Sequence, residues 1–379
     1  MTRASRRSSS RIVAPSSLAL LVLAAACGHS DAFTTPNPHS SGPFSTGVPV
    51  RLTLAATPDL DPAWLPGGAS LAYSYQRPES AEGDWCIGYL PVVGGAIARE
   101  VCDYGLHQAD STTILGAPAI SASGYIAYQR SASARFGGLV NRAVVFAPVD
   151  NPLATQVART IPFSGPDGLY VSIGRHAWIG LDDLAFPGIV EAVVTPCPGC
   201  DPFVVAYPRN LLRVSVSNRD AVTVIPHTDY ATSVSGGESS DVIYYTLADD
   251  SRIYHQTLST GEVRVVHDFG TAGIARDVHY SNGRIAVIVG GSVTVIHDVA
   301  GPLQLSGPGR LLIVDPGLAE ATEPDPRPDF MYTSPALSET GEGLAAVQFS
   351  VSVNLDPITG LPLSVEVLSS GDVVRFGAD

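Results

Sequence analysis

The stretch Asp61–Tyr73, DPAWLPGGASLAY, puts a bulky strand end, a Pro-Gly-Gly reversal and an apolar-Ala-aromatic strand into 13 residues. Gly tolerates the positive φ that a tight reversal needs, and Pro pre-sets its entry. Anchored on Pro62, the same order returns at Pro118 (PAISASG, then Ile126-Ala127-Tyr128) and at His176 (HAWIGLD). It returns again at Thr232 (TSVSGGE), Asp277 (DVHYSNG) and Pro335 (PALSETG). The anchors lie 56, 58, 56, 45 and 58 residues apart, so six copies cover nearly all of the chain after residue 47. Self-similarity at such a period marks a repeat architecture.

Each copy continues with further strand-like runs, clearest as WCIGYLP and IAREVC, then RAVVFAP and ATQVART. A four-stranded sheet cannot bury both its faces alone. Six such antiparallel sheets around an axis can, which predicts an all-β, six-bladed β-propeller over 48–379. A sandwich is the competing all-β arrangement. Composition agrees: 45% of residues are hydrophobic, 15% are charged, and Gly (37) and Pro (30) punctuate short Val/Ile/Tyr runs. All 22 basic residues are Arg.

The turn Asp59-Leu60-Asp61-Pro62-Ala63-Trp64-Leu65-Pro66-Gly67-Gly68 resembles the D-x-x-P-x-W-S-P-D-G turn of PD40, TolB-like repeat proteins. Leu65 stands for the usual Ser and Gly67 for the usual Asp. The third and fourth copies lack the first Pro and the terminal Gly, and the fifth lacks the Pro. The resemblance covers about 48–379 and implies a TolB-like propeller.

The first 27 residues read differently. Arg3, Arg6, Arg7 and Arg11 precede the apolar run IVAPSSLALLVLAAA, which ends at Cys27. That order describes an export signal, and LAAAC resembles a bacterial lipobox in which Cys27 becomes the acylated first residue. Leu23 sits one place further out than usual, and an ordinary secretory signal is the alternative. Residues 28–47 are rich in Ser, Thr, Pro and Gly and read as a disordered tether. The chain is then expected to be a monomer, lipid-anchored to the cell envelope on its periplasmic or cell-surface face. Loss of residues 1–26 removes four Arg and no acid, taking the net charge from −14 to −18. So acidic a surface repels phosphate backbones and excludes nucleic acid as a partner.

No G-x-S-x-G, H-E-x-x-H, P-loop or dinucleotide fingerprint occurs. His107, His227, His255, His267 and His297 are scattered without metal-like pairing and read as hydrogen-bonded or exposed. The residues just before each turn should line the central channel: Asp59 and Asp61, Gly116 and Ala117, Arg175 and His176, Tyr230 and Ala231, Arg276 and Asp277, and Ser334. Of these, Asp59, Asp61, Arg175, His176, Tyr230, Arg276 and Asp277 are candidate ligand-binding residues for a polar ligand or peptide terminus. The plainer alternative is a solvated channel with ion pairs such as Asp61–Arg276. Ca²⁺ is the one cofactor considered, through Asp61 and Asp277.

Cys86 and Cys102 flank a hairpin centred on Gly94-Gly95, which predicts a disulfide, with two buried thiols as the alternative. Cys197 and Cys200 read as a structural disulfide across CPGC, with redox and metal roles less favoured because the following DPFVVAYP is strand-like. The copies also imply that the sixth sheet lacks one strand. Val48–Ala56 is expected to supply it beside Val373–Phe376 and so close the ring, rather than continue the tether.

The functional expectation is a non-enzymatic envelope module that binds a protein, a peptide or a glycan. The alternatives are a metal-dependent hydrolase or lactonase-like enzyme using channel carboxylates, and a purely structural envelope protein.

Overall fold

The computed structural model describes residues 46–54, 57–78, 83–103, 111–134, 139–195, 197, 200–219, 221–290, 308–316, 321–355 and 362–377. The predicted signal, Cys27, most of the tether, His107 and His297 lie outside them. Everything described is strand, turn or loop apart from one short 3₁₀ turn at Gly270–Ala272.

The strands form successive antiparallel sheets that follow the sequence repeats, the first two joined into one eight-stranded sheet, with Phe163–Gly165 and Gly168–Tyr170 as a separate two-stranded pair. The first holds Asp59–Trp64, Ser70–Gln76, Trp85–Pro91 and Arg99–Val101. The second holds Ser111–Ile120, Tyr125–Ala134, Leu139–Pro148 and Gln156–Ile161, and touches the first through a parallel pairing of Trp85 with Ile114. In the third, Ser172–Ile173 and Ala177–Ile179 both pair with Asp183–Val194, followed by Phe203–Ser215 and Val222–Val224. The fourth runs Ala231–Gly236, Val242–Leu247, Arg252–Thr257, Val263–Asp268. The fifth runs Ala275–Ser281, Arg284–Val289, Arg310–Val314, Ala321–Thr322. The sixth runs Phe330–Leu337, Leu344–Leu355, Asp372–Phe376, and its last strand is Val50–Arg51 from the other end of the chain. Val50 pairs with Arg375 and Arg51 with Val374, as expected for this segment.

The second strand of each sheet explains the packing. Leu71-Ala72-Tyr73, Ile126-Ala127-Tyr128, Leu184-Ala185-Phe186, Ile285-Ala286-Val287 and Leu344-Ala345-Ala346 are all buried. Successive strand residues point to opposite faces, so burial of three in a row means that both faces are covered. Each sheet is therefore sandwiched between neighbours. Every fully buried Leu or Ile contributes about 1.5–3 kcal/mol of transfer free energy. The small Ala lets the sheets approach. Only the fourth sheet departs, with Tyr244 in that place. There the facing residues shrink to Ser235 and Gly236, and a Cβ on Gly236 would run into the Trp178 carbonyl of the third sheet.

The first strands share a bulge. Pairing slips by one residue between Leu60 and Ala63, Gly116 and Ala119, Arg276 and His279, and Thr333 and Ala336. In each, the residue after the slip begins is left-handed: Asp61, Ala117, Asp277 and Ser334 have φ of 50–51°. Beyond the bulge, side chains reach adjacent sheets. Trp178 Nε1 donates to the Ala119 carbonyl of the second sheet at 3.0 Å. Trp64 Nε1 donates to the Ala336 carbonyl of the sixth at 2.8 Å, so the first sheet meets the sixth as the third meets the second.

This register corrects two of the sequence anchors. Val234, not Thr232, corresponds to Pro62 in the fourth copy, and Val278, not Asp277, in the fifth. Neither copy has the Pro that marks the position in the first, second and sixth copies, and the fifth turn is shorter. Both cystine pairs are formed: Cys86–Cys102 with Cα atoms 4.7 Å apart and Cys197–Cys200 with Cα atoms 5.3 Å apart.

Candidate functional site

A cavity of about 400 Å³ opens where the first strands run into their turns, and all six sheets line it. Trp64, Ile120, Trp178, Tyr280 and Leu337 form much of its wall. The room comes from small side chains at one level: Ala63, Ala119, Ala177 and Ser235 line it, where a larger residue would fill it. His279 holds that place in the fifth sheet.

The floor is built by the bulges. Counted two residues back from the Ala63 level, the positions are Asp61, Ala117, Arg175, Ser233, Asp277 and Ser334. Asp61 is buried and accepts a 2.7 Å hydrogen bond from the Ser334 hydroxyl. Burial pushes its carboxyl above the usual range. Arg175, Ser334 and the Ala117 N–H pull it back down, and the Asp277 carboxylate pushes it up further. Arg175 also donates to the Pro62 carbonyl at 3.1 Å.

Two imidazoles flank this floor and both are held neutral. Burial lowers His176 to about 4, with nearby Arg175 acting the same way and the Ala127 backbone opposing. That backbone contact falls short of hydrogen-bond geometry, and among the described residues neither ring nitrogen of His176 has a partner. Burial and Arg175 lower His279 to about 3. Its Nδ1 accepts from the Leu337 N–H at 3.2 Å, which leaves the proton on Nε2. Protein surrounds His279 densely, yet it keeps some surface toward the cavity.

Of the residues expected in the channel, Arg175, His176 and Asp277 line the cavity, and Asp61 lies beside them at the floor. The other three are elsewhere. Asp59 precedes the bulge and faces the seam with Thr53, Arg51 and Asp372. Tyr230 lies in a turn, half exposed, with its ring against Tyr207. Arg276 is fully buried and donates to the Gly290 carbonyl, so Arg175 is the cation that acts on Asp61. His279 was not anticipated. Its signal was available: in the correct register it is the only large residue in a column of Ala and Ser.

Asp61 and Asp277 are two carboxylates where Ca²⁺ takes six to eight oxygens. Among the described residues, the only group of three close metal-type ligand atoms is Cys86, Glu100 and Cys102, whose sulfurs are bonded to each other.

No protein-family profile matches the chain, and no curated protein does. Solved structures do. The RRP9 WD40 repeats are 12% identical with a TM-score of 0.50, over 89% of this chain and 99% of that one. U3-55K is 13% identical with a TM-score of 0.50, over 88% and 100%. WD40 repeats build β-propellers, so the fold is a β-propeller. TolB from Acinetobacter baumannii is 14% identical with a TM-score of 0.45, over 83% of this chain and 65% of that TolB. The two likenesses at a TM-score of 0.50 define the fold and leave the activity to the site.

Proposed function

We propose that this chain is a six-bladed, TolB-like β-propeller that binds a peptide or another polar ligand in the mouth of its channel, without catalysis. Val50–Arg51 closes the ring by completing the sixth blade. Export and lipidation at Cys27 hold the propeller at the cell envelope, where a protein, a peptide or a glycan is its partner. The observation that carries this reading is the cavity: six repeats contribute to one wall, and four of them keep Ala or Ser where bulk would fill the space. A wall of Trp, Tyr and aliphatic groups over a few convergent polar side chains is the usual makeup of a ligand pocket.

The test is to fill it. Ala177→Phe should abolish capture of a ligand or partner from envelope extract while the variant melts within a few degrees of the parent. Equal capture by the plugged variant would contradict the reading. Separately, Cys27→Ser should release the protein from the membrane fraction, and unchanged membrane association would rule out the anchor.

A further inference from the structure

We infer that the seam between the first and sixth sheets carries a proton-operated clasp: the buried carboxyl of Asp59 leaves the Val50–Thr53 segment docked while it holds its proton, and drives that segment off the seam when it ionises. The device is independent of what the cavity binds.

The clasp is held by few contacts. Val50 and Arg51 form an edge strand of the sixth sheet, and both are exposed. Beyond them, the Leu52 and Thr53 N–H groups donate to the Val373 carbonyl at 2.9 and 3.3 Å, and the Val373 N–H donates to Thr53 Oγ1 at 2.9 Å. The half-exposed Arg51 side chain pairs with Asp372. A short edge strand of this kind opens locally at far lower cost than a strand inside a sheet.

A buried carboxyl group sits against this segment. Both Asp59 oxygens and Oδ1 of the buried Asp372 lack a hydrogen-bond partner among the described residues, so two acids from different sheets meet with three orphan oxygens. The Asp59 N–H donates to the Gly371 carbonyl at 3.3 Å, and Val347 and Phe349 crowd Gly371. The same two side chains pack with Leu60, the residue after Asp59. Such surroundings tolerate a neutral carboxyl and penalise a charged one. The groups that act on Asp59 are Thr53 and Arg51 from the clasp and Asp372 from the sixth sheet, while Tyr73, from the neighbouring strand of the first sheet, feels its charge. Arg51 is already bonded to Asp372 and does not offset burial, which raises Asp59 to about 7. Two of these groups belong to the clasp, so lifting it uncovers Asp59 to water.

The sign follows from linkage. With the segment lifted and the carboxyl hydrated, Asp59 returns toward its ordinary 3.8, so opening releases a proton between pH 3.8 and about 7. The open fraction therefore grows as pH rises through that window and levels off above it. About three pH units set the ceiling at about a thousandfold.

The test is amide hydrogen exchange of the full chain at pH 4, 6 and 8, each rate divided by the intrinsic rate of an unstructured chain at that pH. Protection of Leu52 and Thr53 should fall from pH 4 to pH 8 by at least about thirtyfold and at most about a thousandfold. At every pH it should stay below that of Arg284–Val289, a strand inside the fifth sheet. Asp59→Asn should keep the clasp protected at pH 8 and remove the pH dependence, while Glu342→Gln, an exposed acid elsewhere in the sixth copy, should retain it. Protection of Leu52 and Thr53 that is flat across pH would overturn the inference. So would exchange as slow as that of Arg284–Val289, because the segment would then leave only on global unfolding. Persistence of the pH dependence in Asp59→Asn would assign it to another group and overturn the inference as well.

Discussion

Asp59→Asn should make the protein more stable at pH 8 and leave it nearly unchanged at pH 4. Asp59 is 1% exposed, and neither carboxyl oxygen has a hydrogen-bond partner among the described residues. Burial raises its carboxyl from the ordinary 3.8 to about 7. The Asp372 carboxylate adds to the rise, and the Thr53 hydroxyl and Arg51 oppose it. The Tyr73 phenol feels the same charge. Between pH 3.8 and 7 the folded state holds a proton that the unfolded chain has lost. Stability therefore falls as pH rises through that window and levels off above it. About three pH units at 1.36 kcal/mol each set an upper bound of about 4 kcal/mol. Denaturant unfolding of parent and variant from pH 4 to pH 8 reads this directly. A gain of about 2–4 kcal/mol at pH 8 with little change at pH 4 supports the argument. Equal destabilisation at both pH values would refute it, because the neutral amide should lack only the cost of burying charge.

Three further outcomes follow from the packing. Gly236→Ala should cost about 3 kcal/mol or more in an unfolding titration, because its Cβ meets the backbone carbonyl of Trp178, which cannot step aside. Replacing both Cys86 and Cys102 with Ser should cost about 3 kcal/mol by the chain-entropy argument for a loop of this length, and peptide mapping without reductant should recover the pair intact in the parent. His176 and His279 bind protons more weakly folded than unfolded, so stability should drop as pH falls from 6.5 toward 3, and His176→Gln should flatten part of that limb in a pH-dependent melt.

The turn motif made the repeats legible wherever Pro follows the left-handed residue, at Asp61-Pro62, Ala117-Pro118 and Ser334-Pro335. Val234 and Val278 carry no such mark, so the fourth and fifth copies read two and one residues out of register. Tyr244 in place of Ala compounded the slip in the fourth copy. The same error put Tyr230 in the channel and hid Ser233. Asp59 was misplaced for another reason. In a regular strand it would share a face with Asp61, but the extra residue in the bulge reverses the alternation and turns it to the seam. Charge type alone could not separate Arg175 from Arg276, since which one meets Asp61 depends on the close approach of nonadjacent repeats. The pairing of Val50–Arg51 with Val374–Arg375 was legible because one strand was missing at one end and one was spare at the other.

The site requires the first and sixth repeats to meet, since Trp64 comes from one and Leu337 from the other. Val50 and Arg375 face each other directly in the joining strand pair. Changing both to Cys should therefore produce a new disulfide, because directly opposed residues in antiparallel strands lie within bridging distance. Mass spectrometry of the unreduced protein should find a peptide linking positions 50 and 375. Free thiols at both positions, in protein whose Cys86–Cys102 bond is intact, would contradict the proposed ring closure and the shared cavity with it.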